Sequence, residues 1–249
     1  MNPSISALIS VSLVSIISLA GAFTLSLNKE FLRKILLFLV SFAVGALFGD
    51  AFIHLLPEAF EELGLSLQTS LLVISGILIF FVLEKFLRWR HCHILESSHE
   101  HVHPMATLSL IGDAVHNLMD GMIIGASYLA SPAIGVATTL AVILHEIPQE
   151  IGDFGILVHS GLTVRKALFF NFLSALTAFV GLGISLFIGP HITGYASYIV
   201  PVTAGGFLYI AGSDLIPELH HDVKASISLG QFVCIILGVG LMALLVLME

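Results

Sequence analysis

Residues 112–121 read Gly112-Asp113-Ala114-Val115-His116-Asn117-Leu118-Met119-Asp120-Gly121, and this polar run interrupts an apolar stretch of about 105–129. A second run, His145-Glu146-Ile147-Pro148-Gln149-Glu150-Ile151-Gly152-Asp153, interrupts the next stretch, about 133–158. Six more apolar stretches, at about 5–27, 35–60, 68–88, 166–188, 195–217 and 227–248, have lengths suited to helical membrane spans. They are too long, and too apolar on all sides, for the alternating strands of about ten residues in a membrane β-barrel. Apolar residues make up 57% of the 249 and charged residues 10%, against about 25% charged in soluble domains. The reading is an all-α polytopic membrane protein of eight transmembrane helices. It forms one transmembrane domain over 1–249, with no room for a sizeable soluble domain. Seventeen acids against nine bases give a formal charge of −8, which argues against a nucleic-acid partner. The bilayer is the expected surrounding.

The bases orient the spans. Lys29, Arg33 and Lys34 follow the first; Lys85, Arg88 and Arg90 close the third. Arg165 and Lys166 join the fifth and sixth, and Lys224 joins the seventh and eighth. All nine bases therefore lie at odd-to-even connections. The positive-inside rule makes those loops cytoplasmic and puts both termini outside. The first stretch has no base before Lys29, unlike the basic start of a signal peptide, so it is expected to be retained. A prokaryotic cell membrane is the expected location.

Spans 4 and 5 carry seven charged or His groups: Asp113, His116, Asp120, His145, Glu146, Glu150 and Asp153. At mid-bilayer each costs about 2.5–3.5 kcal/mol on the insertion scale, so facing lipid they would cost on the order of 20 kcal/mol together. They must face one another, a wet cavity or a cation. Spacing favours the cation. His116 and Asp120 are i and i+4 on one helix face, with Asp113 a turn below; His145 and Gln149 repeat the spacing, and Glu146 and Glu150 form a ladder about 100° round. The spans run in opposite directions, and both clusters fall near mid-depth. Imidazole and carboxylate without thiolate suit a divalent first-row metal. Pro148 removes a backbone hydrogen bond in mid-helix and is expected to kink or break span 5. Gly121, Gly125 and Gly152 are expected to permit close helix approach. A polar network that only locks the bundle, such as His116 with Glu146, is the structural alternative.

These two segments resemble the signatures of the ZIP family of metal transporters (Zrt-, Irt-like proteins). His116-Asn117-Leu118-Met119-Asp120-Gly121 matches the fourth-helix motif H-N-x-x-[DE]-G. His145 to Asp153 looks like the fifth-helix motif H-E-x-P-H-E-x-G-D of the largest, eukaryote-rich branch, and Gly49-Asp50-Ala51-Phe52-Ile53-His54-Leu55-Leu56-Pro57 resembles that branch's second-helix motif. The resemblance covers essentially the whole chain. It implies inverted repeats, helices 1–3 and 6–8, around a central helix 4–5 pair. It also implies a transport site there, uptake toward the cytoplasm, and an elevator-like alternating access. His116, Asp120, His145 and the residue at 149 would form the principal metal site, with Asn117, Glu146 and Glu150 lining it or forming a neighbouring one. Two departures stand out. Gln149 occupies a position where the branch usually has His, and an amide oxygen is a weaker ligand for Zn²⁺. Span 6 contains no acid, where members with a two-metal centre supply a carboxylate. Both favour a single well-formed site.

Other polar groups extend the pathway. Asp50 and His54, in the outer half of span 2, could form the way in. Asp214 and Glu218 flank Pro217 near the inner end of span 7 and, with Asp113 and Asp153, could line the way out; water-capped helix ends are the alternative. The polar segment 89–104 holds His91, His93, His99, His101 and His103, which could bind departing metal weakly or form a plain linker. The leading function is a secondary transporter for divalent transition-metal ions. Zn²⁺ comes first, with Fe²⁺, Mn²⁺ and Cd²⁺ as alternatives; the metal is cargo, and no resident cofactor is expected. No Walker A motif is present. Affinity should fall toward acidic pH as the two histidines protonate. The alternative is an intramembrane zinc hydrolase, although His145-Glu146 fails to complete H-E-x-x-H because position 149 is Gln. A homodimer is the protein assembly left open.

Overall fold

The computed structural model describes residues 3–24, 29–92, 102–220 and 225–247, and these are helical nearly throughout. Helix α1 is Pro3–Ile17, continued by Ser18–Ala20 and Gly21–Thr24. Helix α2 is Lys29–Gly49, running through a widened π segment, Asp50–Leu55, into Leu56–Leu63. Then come α3 (Leu67–Cys92), α4 (Val102–Ala130) and α5 (Pro132–His159). Helix α6 is Val164–Ala175 with Thr177–Ile188. Helix α7 is Tyr195–Tyr209, continued by a second π segment, Ile210–Leu215, and Ile216–Leu219. Helix α8 is Ala225–Val246. Side-chain caps start three of them: Ser66 accepts from the Thr69 N–H, Ser131 from the Ile134 N–H, and Thr163 from the Lys166 N–H.

Among the described residues, five stretches are long and apolar enough to cross a membrane: Pro3–Ala20, Ile35–Leu63, Val164–His191, Tyr195–Ser213 and Ala225–Val246. Helix α3 offers a shorter apolar run, Leu67–Leu83. Helices α4 and α5 fall short of that measure, although each exceeds 25 residues. Their polar runs lower the local hydropathy, and α4 and α5 bury these side chains inside the bundle. Asp113, Asn117, Asp120, His145, Glu146 and Glu150 are all buried.

The helices pack as two groups. Helix α2 lies along α8, and α7 along α3. Each pair closes on glycines that leave no room for a Cβ: Gly45 sits against the Ile235 carbonyl and Gly238 against that of Phe42, while Gly76 faces Val202 and Gly205 faces Val73. The second group is α4 with α5 and α6, and α1 against α4 and α5. Gly121 and Gly125 do serve as close-approach points, against Ala178 and Ser185 of α6; Gly152 instead has nothing near a would-be Cβ. Between the groups, Leu47, Leu55, Ile124, Val142, Phe207 and Met242 form one continuous apolar core.

The two π segments share a cause. Each ends two residues before a proline, Pro57 in α2 and Pro217 in α7. Proline donates no hydrogen bond, and its ring crowds the carbonyl four residues back. The chain responds with a wider turn: the Leu56 N–H reaches the Ala51 carbonyl, and the Ile216 N–H that of Ala211. Pro148 has no such effect. Helix α5 runs unbroken through it from Pro132 to His159, so the expected break is absent.

The polar 89–104 segment lies largely beyond the described structure. His93, His99 and His101 fall outside the described residues, while the backbone of His91 ends α3 and that of His103 begins α4.

Candidate metal centre

On α4, helical periodicity puts His116 and Asp120 on one face; on α5, His145 and Glu146 are neighbours in sequence. The crossing of the two helices brings one donor atom of each within 4.8 Å of the others. His116 Nε2 is 3.3 Å from Glu146 Oε1 and 3.8 Å from Asp120 Oδ2. His145 Nε2 is 3.5 Å from Asp120 Oδ2 and 3.7 Å from Glu146 Oε1. The two Nε2 atoms are 3.3 Å apart. Metal–donor bonds of 2.0–2.1 Å in a tetrahedron require donor separations of about 3.3–3.4 Å. Four donors of the right type thus lie at close to the right spacing.

The surroundings fit a cation. Asp120 and Glu146 are fully buried, and no oxygen of either accepts a hydrogen bond. Two bare carboxylates in a membrane interior are costly unless a charge balances them. Two negative charges match one divalent ion, and two imidazoles with two carboxylates suit first-row metals. The His145 Nδ1–H donates to the Ala141 carbonyl at 3.1 Å. In the neutral ring that leaves the Nε2 lone pair aimed at the other donors. His116 keeps 19% of its side chain exposed, which leaves one side of the group accessible. Phe80 of α3 and Phe207 of α7 stand edge-on to His116 and His145, with centroids 6.3 and 6.1 Å away. The other helix group therefore supplies the apolar walls.

A second polar cluster lies a turn away. The Asn117 amide donates to Asp113 Oδ1 at 2.8 Å and to its backbone carbonyl at 3.2 Å. The Ser174 hydroxyl donates to the other oxygen of Asp113, and Asn171 donates to Glu150. Farther along, the Ser109 hydroxyl donates to Asp153 at 2.9 Å. On the opposite side of the centre, Asp50 accepts from Thr138 at 3.1 Å and lies 3.2 Å from His54 Nδ1.

His116, Asp120 and His145 therefore converge, and Glu146 supplies the fourth donor. Gln149 is half-buried one turn beyond His145, with no hydrogen bond to the four. Asn117 and Glu150 belong to the neighbouring cluster. For Asp214 and Glu218 the structure describes the backbone, at the π segment and end of α7. Sequence reasoning missed Asn171, Ser174, Thr138 and Ser109. Hydroxyls and amides in apolar helices are common, and the sole available signal was the polarity of Asn171 in a Phe-rich span.

The helical fold and the buried donor group describe a polytopic membrane protein with a candidate cation site at its centre, and comparison with known proteins gives its family. The model of the family described as ZIP zinc transporter matches residues 2–109 and 91–246. The chain belongs to that family, which sets it among transporters rather than hydrolases. It is 33% identical to the zinc transporter zipt-7.1 of Caenorhabditis briggsae, over 99% of this chain and 79% of that protein. It is 35% identical to the zinc transporter ZIP13 of Pongo abelii, over 83% of this chain and 65% of that protein. With the metal cation symporter ZIP14 of Xenopus tropicalis the identity is 29%, over 86% and 61%. The chain thus spans less than two thirds of the last two relatives.

Proposed function

We propose that this chain carries divalent transition-metal ions, Zn²⁺ foremost, across a cell membrane toward the cytoplasm by alternating access through the α4–α5 centre. The observation that carries the reading is the convergence of two imidazole nitrogens and two buried carboxylates that accept no hydrogen bond, close to metal-site spacing. Relatives named as zinc transporters and a metal cation symporter support it. The fifth-helix motif, H-E-x-P-Q-E-x-G-D here, aligns the chain with the H-E-x-P-H-E-x-G-D branch. His116, Asp120, His145 and Glu146 hold the ion. Gln149 adjusts selectivity from the next turn, and Asn117 and Glu150 line the inner side. Asp50 and His54 line the way in; Asp113, Asp153, Asp214 and Glu218 line the way out.

Helices α1–α3 and α6–α8 are inverted repeats around α4 and α5 in this reading. The support is a shared pattern: a packing glycine, a π segment five residues on, then Pro-Glu, at Gly45, Asp50–Leu55 and Pro57-Glu58, and again at Gly205, Ile210–Leu215 and Pro217-Glu218. One domain spans 1–249, with both termini outside, and the two glycine-tight pairs serve as scaffold for an elevator of α1 and α4–α6. A homodimer is the assembly we assign to it.

The test is uptake of Zn²⁺, Fe²⁺, Mn²⁺ and Cd²⁺, separately, into proteoliposomes holding wild type or H116A/H145A. Saturable uptake lost in the double variant is expected. Absence of flux from a folded, metal-binding wild type would overturn transport, and equal flux in both would overturn the site.

A further inference from the structure

Two phenylalanines stand across from the donor centre, one for each imidazole. Phe80 of α3 lies 6.3 Å from the His116 ring at an interplanar angle of 87°, and Phe207 of α7 lies 6.1 Å from the His145 ring at 67°. These are the edge-to-face relations that aromatic pairs prefer. Both phenylalanines are buried, at 5% and 0% exposure. They belong to the helix group that contributes none of the four donors, which come from α4 and α5 alone.

Both rings rise from a stretch where α3 and α7 touch backbone to backbone. Phe80 is one turn beyond Gly76, which faces the Val202 carbonyl, and Phe207 directly follows Gly205 and Gly206. The Phe80 ring lies over Gly206, where a Cβ would overlap it. With backbone behind it, the ring has no room to retreat toward α7. The centre is thus bounded on this side by rigid hydrocarbon.

Hydrocarbon of this kind cannot hold water. A buried water needs about two to four polar partners, and a phenyl ring supplies none. The oxygens of Asp120 and Glu146 accept no hydrogen bond either. Coordination chemistry then sorts the ions. Zn²⁺ is satisfied by four N and O ligands in a tetrahedron. Mn²⁺ and Mg²⁺ favour six oxygen ligands, and Mg²⁺ keeps several of its waters. Resting on the transport reading above, we propose that Phe80 and Phe207 are specificity-determining residues. They hold the two imidazoles in a dry, four-donor arrangement, exclude the waters that a six-coordinate ion needs, and so favour Zn²⁺ over Mn²⁺. They act through His116 and His145 rather than on the ion, which makes them positioning residues.

The experiment uses Co²⁺ as a probe, because tetrahedral Co²⁺ absorbs visible light far more strongly than six-coordinate Co²⁺. Spectra of the full chain in nanodiscs are read after subtracting those of H116A/H145A, which removes Co²⁺ held elsewhere. F80A and F207A are each expected to weaken the tetrahedral bands several-fold. Each should also lower the ratio of Zn²⁺ to Mn²⁺ uptake into proteoliposomes several-fold. F80L and F207L keep an apolar wall and should stay near wild type in both readouts. Either readout unchanged in both alanine variants overturns the proposal, even where the two uptakes fall by one common factor. Leucine variants as impaired as the alanine ones overturn it too. A wild type without tetrahedral bands above those of H116A/H145A overturns the four-donor centre itself, so the two readings fail distinguishably. Melting curves establish that each variant is folded, and F80V or F207V, with a smaller gap, replaces an alanine variant that is not.

Discussion

Glu146 is the residue whose role the structure changes most. It follows His145 directly, so on α5 the two point about 100° apart. Yet its Oε1 lies 3.3 Å from His116 of α4 and 3.7 Å from its own neighbour His145. In the proposed site it is one of the two carboxylates that would balance a divalent ion, so it could not be neutralised cheaply. Replacing a group that merely orients a metal ligand costs roughly 10–100-fold in affinity or activity. Glu146→Gln is therefore expected to lower kcat/KM for Zn²⁺ uptake by more than about 100-fold, whereas a merely lining residue would lose far less. Gln149→His, which adds an imidazole one turn from the four donors, is expected to change the order of preference among Zn²⁺, Fe²⁺, Mn²⁺ and Cd²⁺ in the same assay. The partner of Glu150 matters for stability instead. Asn171→Leu leaves that buried carboxylate without its donor, and should destabilise the protein by about 1–3 kcal/mol, read as a lower melting temperature in nanodiscs.

At the scale of elements, the helix pairs α2–α8 and α3–α7 depend on contacts that no side chain can enter. A Cβ at Gly45 would collide with the Ile235 carbonyl, and one at Gly205 with that of Val73. Overpacking typically costs about 1–3 kcal/mol, and a clash with backbone has little room to relax. Gly45→Val and Gly205→Val should each lower thermal stability to a similar degree, while Gly152→Ala, at an open position, should not. Equal tolerance at all three would refute the close-packed pairs. Helix existence and rough ends were legible in the sequence, because apolar runs of span length admit few other structures. The π segments were not. Pro57 and Pro217 announce a disturbance, but Pro148 shows that proline alone does not select a π turn: α5 remains helical through it.

For the whole molecule, an ion that binds the folded state stabilises it in proportion to its occupancy. Zn²⁺ at about 100 times its dissociation constant should add about 2.7 kcal/mol. Wild type should therefore melt higher with Zn²⁺, and H116A/H145A should lose most of that increment. An unchanged increment would place the principal binding elsewhere, for instance among the loop histidines.

The sequence by itself determined that the chain is a bundle of apolar helices, and that the polar groups of α4 and α5 could not face lipid. It also determined which residues share a face along each helix. Periodicity and the cost of burying charge act locally, so both can be read from one strand of text. The tertiary structure alone brought a carboxylate oxygen of Glu146 beside His116, His145 and Asp120. It alone joined Asn171 and Ser174 of α6 to Glu150 and Asp113, and bound Thr138 across to Asp50. Those choices depend on how far each helix is rotated about its axis and how closely glycines let two backbones approach, and such distances between elements leave no local periodic trace.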